Sequence, residues 1–308
     1  MLIKEKDPPD QAIQQLETIA QLPGLRKDIL AKVEKELKTL KAGGRGESDS
    51  AYFIDFYYRE KPNWAVIHDL RIEYGGNVAQ IDHVMINRWL EFYVLESKSY
   101  AYGLKISERG EFLFWDGRRY AAMESPIEQN KRHVAVMSQL LKGEDLLPRR
   151  LGIALPPTFR PYVLVSPQST VLRPSRKVFD TDMVIKSDEL FRQIETNFDA
   201  ASNVSVLGYM AKTISSEAVI EMGQQLVKYH RPAPIDYYAR FGVKPGQSIP
   251  PRAAEPAARG ASDDPKPHSK YYCFKCRKPI TQRVARFCFQ HTERFGGKAY
   301  CLDCQKAF

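Results

Sequence analysis

The spacing of hydrophobic residues predicts helices at the start of the chain. Hydrophobic positions recur at helical intervals from Ile13 to Leu40 and are interrupted only at Pro23-Gly24. The glycines and cations of residues 41–46 predict a loop, after which Glu47 begins a new helix. We therefore separate an N-terminal helical segment, residues 1–42, from the domain that follows.

The next part of the chain alternates between predicted strands and helices. Short runs rich in β-branched and aromatic residues, separated by turn residues, predict strands at 64–72, 79–86, 92–99, 104–107, 111–115 and 162–166. Ser125-Pro126 begins a helix, with serine as the N-cap and proline in the first helical position. A capped helix at 187–198 and a long helix at about 203–229 complete an α/β domain over residues 43–230.

The C-terminal part differs in composition. Residues 231–270 are rich in Pro, Ala, Gly and Ser, which predicts a largely unstructured linker. All five cysteines lie beyond it, in residues 271–308. The net charge is +9, and residues 266–308 carry +8 of it. Such a basic module suits a reader of the phosphate backbone, although a solvated tail has the same composition.

Composition and the N-terminus indicate the cellular setting. Hydrophobic residues make up 43% of the chain and charged residues 27%, which is typical of a soluble globular protein. We find no apolar run that would span a bilayer and no signal-peptide pattern in the first ten residues. We therefore expect a cytoplasmic protein without membrane association.

Two neighbouring strands carry the residues that suggest chemistry. Side chains alternate along a strand, so Glu96 and Lys98 share one face. If strands 79–86 and 92–99 pair as a hairpin, Asp82 lies beside Glu96. Two buried carboxylates and an ammonium group are costly unless they compensate one another or bind a metal such as Mg²⁺. The alternative is an ordinary strand pair whose charges face solvent.

Several motifs in this order resemble the nuclease-related domain (NERD), a branch of the PD-(D/E)xK phosphodiesterase superfamily. They are Gly46-Glu47, His68-Asp69-Leu70, Gln80-Ile81-Asp82-His83, Val94-Leu95-Glu96-Ser97-Lys98-Ser99-Tyr100, Gly103 and Ser125-Pro126-Ile127-Glu128-Gln129-Asn130. The resemblance covers roughly residues 43–165 and departs from the family at Ser97-Lys98-Ser99. It implies a restriction-endonuclease-like fold, in which helices flank a central mixed sheet.

The resemblance also implies roles for individual residues. Asp82 and Glu96 would hold Mg²⁺ or Mn²⁺, with the main-chain carbonyl of Leu95 as a third oxygen ligand. Lys98 would act as the base or as an electrostatic stabiliser. The other expected members of the site are Glu47, Gln80 and Gln129.

Ordinary structural roles remain open for several of these residues. An acid in the first turn of a helix is favoured by the helix dipole, which would equally explain Glu47. Gln129 would equally fit on a helix surface. We expect His83 and His133 to be packing or surface residues rather than catalysts.

Paired C-x-x-C motifs predict a zinc site near the C-terminus. Two such knuckles can close a tetrahedral thiolate site, here formed by Cys273, Cys276, Cys301 and Cys304. The module resembles the zinc ribbons appended to topoisomerases. We expect Cys288 to be a small buried residue, while Cys288 or His291 as a substitute ligand remains an alternative.

These observations favour a metal-dependent nuclease acting on DNA. Aromatic and basic residues interleave through the zinc module, a combination that stacks bases and neutralises phosphates. A second possibility is a non-catalytic nucleic-acid-binding protein that keeps the nuclease fold. A third is an interaction adaptor, in which the same cysteine module docks a protein partner. The sequence leaves the oligomeric state open.

Overall fold

A computed structural model describes residues 1–8, 10–100, 103–204, 212–232, 235–244, 271–305 and 307. The chain divides into two compact units, residues 1–252 and residues 253–308.

Strands of the first unit form two sheets and a short hairpin. In chain order they are β1 (Leu2–Lys4), β2 (Trp64–Tyr74), β3 (Asn77–Asn87), β4 (Glu91–Lys98), β5 (Leu104–Ile106), β6 (Phe112–Trp115), β7 (Tyr120–Met123), β8 (Arg149–Arg150), β9 (Ile153–Ala154), β10 (Thr158–Val165), β11 (Val171–Leu172) and β12 (Val184–Lys186). The main sheet has the order β1-β2-β3-β4-β10-β12, and a smaller sheet has the order β11-β5-β6-β7. In the main sheet β2, β3 and β4 are antiparallel, while β1, β10 and β12 each lie parallel to a neighbour.

Helices cover both faces of the main sheet. They are α1 (Asp10–Ala20), α2 (Lys27–Tyr58), α3 (Pro126–Gly143), α4 (Leu190–Val204), α5 (Ser216–Val227) and α6 (Tyr237–Phe241). Apolar residues of α3 and α5 pack on one face of the sheet, which we call the α3 face. Those of α2 and α4 pack on the other, the α2 face. The expected central mixed sheet flanked by helices is confirmed.

Helix α3 is anchored at the middle of the sheet. The Ser125 hydroxyl accepts a hydrogen bond from the N–H of Glu128 at 3.3 Å, as the predicted N-cap requires. Pro161 pairs with Val94 in the ladder between β10 and β4 but has no N–H to donate. The buried Asn130 side chain donates instead to the carbonyls of Val94 and Tyr162, at 2.8 and 3.0 Å. These bonds fix α3 over β4.

The predicted loop at residues 41–46 is wrong, because α2 continues through them. Gly46 lies so close to the end of β4 that an added Cβ would stand 2.7 Å from Cβ of Ser99. Gly46 does not break the helix here. Its lack of a side chain instead allows the close approach of α2 to Ser99. The division at residue 42 falls within this one helix.

The predicted linker is wrong for residues 235–244. Asp236 caps α6, and Tyr237 is buried in a small cluster with Leu16 and Val33. Residues 245–270 lie outside the described part. The single long helix at 203–229 is also wrong, because residues 213–215 are not helical and Ser215 caps α5.

The second unit is small and has its own core. Its elements are β13 (Tyr271–Tyr272), β14 (Pro279–Ile280), α7 (Gln282–Gln290), α8 (Thr292–Phe295) and α9 (Leu302–Gln305). Cys288, Phe295 and Tyr300 form the centre of its buried cluster. Across the described residues of both units, no helix is long and apolar enough to span a membrane.

Candidate active site and metal centres

Asp82, Glu96 and Lys98 lie together where the β3–β4 hairpin ends. The register runs from Ile86–Phe92 to His83–Leu95, and Asp82 follows directly. Asp82 Oδ2 accepts the main-chain N–H of Ser97 at 2.7 Å. Lys98 Nζ lies 2.6 Å from Glu96 Oε1. Hairpin pairing thus brings the two carboxylates and the lysine to one place.

An irregularity in the neighbouring strand pair sets the position of Asp82. Ile67 and Leu70 of β2 both pack on the α3 face, which strict alternation forbids for residues three apart. The shift occurs at Asp69, whose φ of 55° lies in the left-handed region. In β3, Ile81 and Val84 likewise share the α3 face, with Asp82 between them. The alternation of side chains between the two sheet faces therefore shifts by one residue in both β2 and β3 beside the site.

The carboxylates are held in a strongly unfavourable electrostatic environment. Burial raises the pKa of Asp82 well above its usual range, and the charges of Glu96 and Glu47 raise it further. The Ser97 N–H and the Lys98 charge oppose this shift only in part. Burial also raises the pKa of Glu96, although Lys98 lowers it. The site thus holds more negative charge than its own cations neutralise.

Glu47 is delivered by the close approach of α2 to the end of β4. The contact of Gly46 with Ser99 places the next residue near both carboxylates, whose pKa values its charge raises. Glu47 forms an ion pair with Lys6, from the segment after β1. Sequence reasoning missed Lys6, because only the folded chain brings these two residues together.

The two glutamines differ in position. The Gln80 side chain is exposed and donates to Asp69 rather than to the carboxylates. Gln129 lies on α3 and lines a cavity of about 470 Å³, and its amide is near enough to Glu96 to lower the pKa of that carboxyl. Leu95 is buried in the last register pair of the hairpin. The functional roles of all three remain predictions.

His133 is a member of the site that the sequence analysis placed among packing or surface residues. It lies one helical turn after Gln129, is buried, and lines the same cavity. His133 Nδ1 stands 3.6 Å from Glu96 Oε2. Neither atom has a hydrogen-bond partner among the described residues, even though Gln129 is close enough to affect Glu96. Gln129 and His133 are four residues apart, and this helical spacing is the sequence signal that would have predicted His133 beside Gln129.

A buried hydrogen-bonded line lies behind the site, on the α2 face. Asp55 Oδ1 lies 3.1 Å from His68 Nε2, His68 Nδ1 lies 2.8 Å from His83 Nδ1, and His83 Nε2 lies 3.0 Å from Ser97 Oγ. Burial lowers the pKa of His83 well below its usual range and keeps it neutral. His83 thus supports Ser97, whose N–H holds Asp82.

The residues present fit a hard divalent cation. Magnesium-like ions typically bind through one or two carboxylates, with main-chain oxygens and waters completing the shell. Asp82 and Glu96 supply two carboxylates, and Glu96 Oε2 is buried without a partner. An unpaired buried carboxylate oxygen is unfavourable unless a cation or donor meets it.

The four expected cysteines form a second, separate candidate centre. The sulfur atoms of Cys273, Cys276, Cys301 and Cys304 all lie within 4.8 Å of one another. Over the described part of the chain, no other group of three or more potential ligands is gathered so closely. Burial opposes ionisation of Cys273, but main-chain N–H groups outweigh it and lower its pKa to about 6. A thiolate cluster of this kind is compatible with a zinc ribbon.

Cys288 lies outside that cluster. Its sulfur is buried and accepts hydrogen bonds from the Tyr300 N–H at 3.3 Å and from the Gln305 amide at 3.2 Å. His291 is exposed and is also outside the cluster. Cys288 is therefore a packed core residue, as expected, and neither residue substitutes for a ligand here.

Comparison with known proteins agrees with the geometry. Residues 42–166 match the family model described as the nuclease-related domain. Searches of curated proteins and of solved structures each gave no match. The matched range contains Glu47, Asp82, Glu96, Lys98 and Gln129, so the grouped side chains all lie within it. Residues 42–166 are therefore similar to a nuclease-related domain, and a cluster of four cysteines lies near the C-terminal end of the chain.

Proposed function

We propose that this protein is a Mg²⁺- or Mn²⁺-dependent nuclease that hydrolyses phosphodiester bonds in DNA. The observation that carries the proposal is a pair of carboxylates, the buried Glu96 and the partly buried Asp82, with raised pKa values and a lysine 2.6 Å from Glu96. A buried cluster with excess negative charge favours a divalent cation. The family match supports nuclease chemistry in particular.

Each residue has a part in this proposal. Asp82 and Glu96 hold the cation, with the Leu95 carbonyl as a further oxygen ligand. A divalent cation held there would supply Lewis acidity toward a phosphate oxygen and lower the pKa of a water molecule. Lys98, held by Glu96 and a quarter exposed, stabilises negative charge that develops on the phosphate.

The cavity beside the site gives the substrate a place to lie. Gln129 and His133 line it near the carboxylates, and Arg132 lies on the same helix face. We assign to this cavity a phosphate or sugar next to the bond that is cleaved. Gln129 and Arg132 supply amide and guanidinium donors of the kind that position phosphates in many nucleic-acid complexes.

The cysteine unit supports DNA as the substrate. It exposes the aromatic rings of Tyr272, Phe274, Phe287 and Phe289, which a purely structural core would bury. Lys298 Nζ lies 4.1 Å from the centre of the Phe274 ring. Exposed rings with neighbouring cations stack bases and bind phosphates. We propose that Zn²⁺ holds this unit folded and that the unit retains DNA.

The test is cleavage of plasmid and single-stranded DNA in Mg²⁺, Mn²⁺ or EDTA. Wild type should cut only with metal, and Asp82→Asn and Lys98→Ala should each lose on the order of a hundredfold or more in rate. Lys142→Ala, which removes an exposed lysine at the far end of α3, is the matched control and should cut normally. If no condition gives metal-dependent cleavage, or if Lys98→Ala cuts at the wild-type rate, the proposal is wrong.

A further inference from the structure

We infer that His133 is a direct ligand of the divalent cation, together with Glu96, and that the site therefore binds transition-metal dications in preference to Mg²⁺. The inference rests on the metal site of the proposed function and specifies its chemistry. It begins from the two polar atoms of the site that lack partners, His133 Nδ1 and Glu96 Oε2.

The distance between these atoms argues against a direct hydrogen bond. They stand 3.6 Å apart, whereas an N–H donor normally lies about 2.7–3.2 Å from its oxygen acceptor. Both side chains are at least nine-tenths buried, so bulk water does not satisfy them. A neutral imidazole has a lone pair available for coordination.

A cation bound between Glu96 Oε2 and His133 Nδ1 would give both atoms a partner. Donors that bind one divalent cation at bond lengths of about 2.0–2.2 Å lie roughly 3–4 Å from each other. The observed 3.6 Å fits within that range. Lys98 already occupies Glu96 Oε1, so Oε2 is the oxygen left for a second positive charge.

The backbone holds His133 in this position firmly. Asn130 lies three residues earlier on α3 and is tied to the sheet through the carbonyls of Val94 and Tyr162. Val94 lies two residues before Glu96 on the same face of β4. The imidazole and the carboxylate are therefore fixed to each other through short, buried connections.

Nitrogen coordination has a consequence for metal choice. Mg²⁺ binds oxygen ligands and retains its waters, whereas imidazole is a common ligand of first-row transition metals. One imidazole in the shell should therefore favour Mn²⁺ and the later metals over Mg²⁺. An all-oxygen site would lack this preference.

The test uses the full chain with its zinc retained and Mn²⁺ as the probe. Pulsed electron paramagnetic resonance of bound Mn²⁺ should show coupling to a histidine nitrogen, and histidine labelled with ¹⁵N should change that coupling in wild type. His133→Asn should abolish it and weaken Mn²⁺ binding about tenfold or more, with a smaller effect on Mg²⁺. His133→Gln provides a second variant should the first fail to fold.

Two controls define the site. His291→Asn removes an exposed histidine of the second unit and should leave the nitrogen coupling unchanged. Asp82→Asn should release the bound Mn²⁺, which locates it at the carboxylates rather than at the cysteines.

The outcomes separate this inference from the proposed function. Mn²⁺ that binds without histidine coupling, or with coupling that survives in both His133 variants, overturns the inference even if the protein cleaves DNA. Histidine coupling without cleavage would support His133 as a ligand while refuting the nuclease proposal. Failure to bind Mn²⁺ at all would overturn both.

Discussion

Gly46→Ala should test whether the contact of α2 with β4 positions Glu47. The added Cβ would stand 2.7 Å from Ser99 Cβ, about 0.7 Å inside the 3.4 Å at which ordinary contact begins. The nearest neighbour is a side-chain carbon next to the backbone rather than the end of a flexible chain. The helix must therefore move away from the strand and carry Glu47 with it.

Two opposing effects set the change in stability. Alanine is favoured over glycine within a helix by about 1 kcal/mol. Overpacking at a tight contact typically costs about 1–3 kcal/mol. The free energy of unfolding should therefore fall by about 0–2 kcal/mol. The effect on cleavage should be larger, because a displacement of about 1 Å at a catalytic group can cost on the order of a hundredfold in rate.

A matched substitution in the same helix separates these effects. At Gly43 an added Cβ would meet only Glu47 Oε1, at 4.0 Å. Gly43→Ala should therefore gain about 1 kcal/mol and keep normal cleavage. A domain of this size shifts its Tm by about 2–4 °C per kcal/mol, so thermal unfolding will resolve the two variants.

Ser99→Gly, combined with Gly46→Ala, supplies the sharpest check. Removing the Ser99 side chain removes the atom nearest the new methyl group, so cleavage should return toward the rate of Ser99→Gly alone. The reasoning would be refuted if Gly46→Ala cut DNA at the wild-type rate. It would be equally refuted if the double variant were as impaired as Gly46→Ala.

Two further predictions follow from the charges of the two candidate metal centres. Because burial raises the pKa of Asp82 above its unfolded value of about 3.9, this carboxyl stabilises the metal-free fold at low pH, and that stability is lost as pH rises through the raised pKa. In EDTA at neutral pH, Asp82→Asn should therefore melt above wild type, with less loss of Tm on raising the pH, and added Mn²⁺ should no longer stabilise it; a lower Tm would contradict this. Cys273→Ser should lose bound zinc and weaken DNA binding while leaving the unfolding transition of residues 1–252 unchanged, as measured by metal analysis, fluorescence anisotropy and calorimetry. Retained stoichiometric zinc would show that the four thiols are not the site.

The parts of the site that follow from local periodicity were accessible from the sequence. Strand alternation placed Glu96 and Lys98 on one face, and the short turn before β4 brought Asp82 beside them. The Ser125 cap of α3 was equally local. The C-x-x-C spacing indicated the four-thiol cluster because each knuckle is a local structure.

Other parts depend on contacts between distant segments. The glycines of residues 43–46 indicate a loop by propensity, and only the packing of Gly46 on Ser99 explains why the helix continues. The ion pair of Lys6 with Glu47 joins residues about forty positions apart. The shift at Asp69 needs a left-handed residue in mid-strand, which no propensity predicts.

The two faces of β4 differ in how well their polar groups are satisfied, and this difference is itself an argument for a cation. On the α2 face, the partly buried Asp55 and the buried His68, His83 and Ser97 form an unbroken line of hydrogen bonds. Such a line holds the strand rigidly, so the groups on the opposite face are not free to shift toward other partners. Glu96 Oε2 on that face is nonetheless left without one. A fold that satisfies every group of the supporting line and leaves one oxygen of the adjacent carboxylate without a partner is preorganised for a ligand supplied from outside. The raised pKa values of the two carboxylates fit the positively charged ligand that we propose.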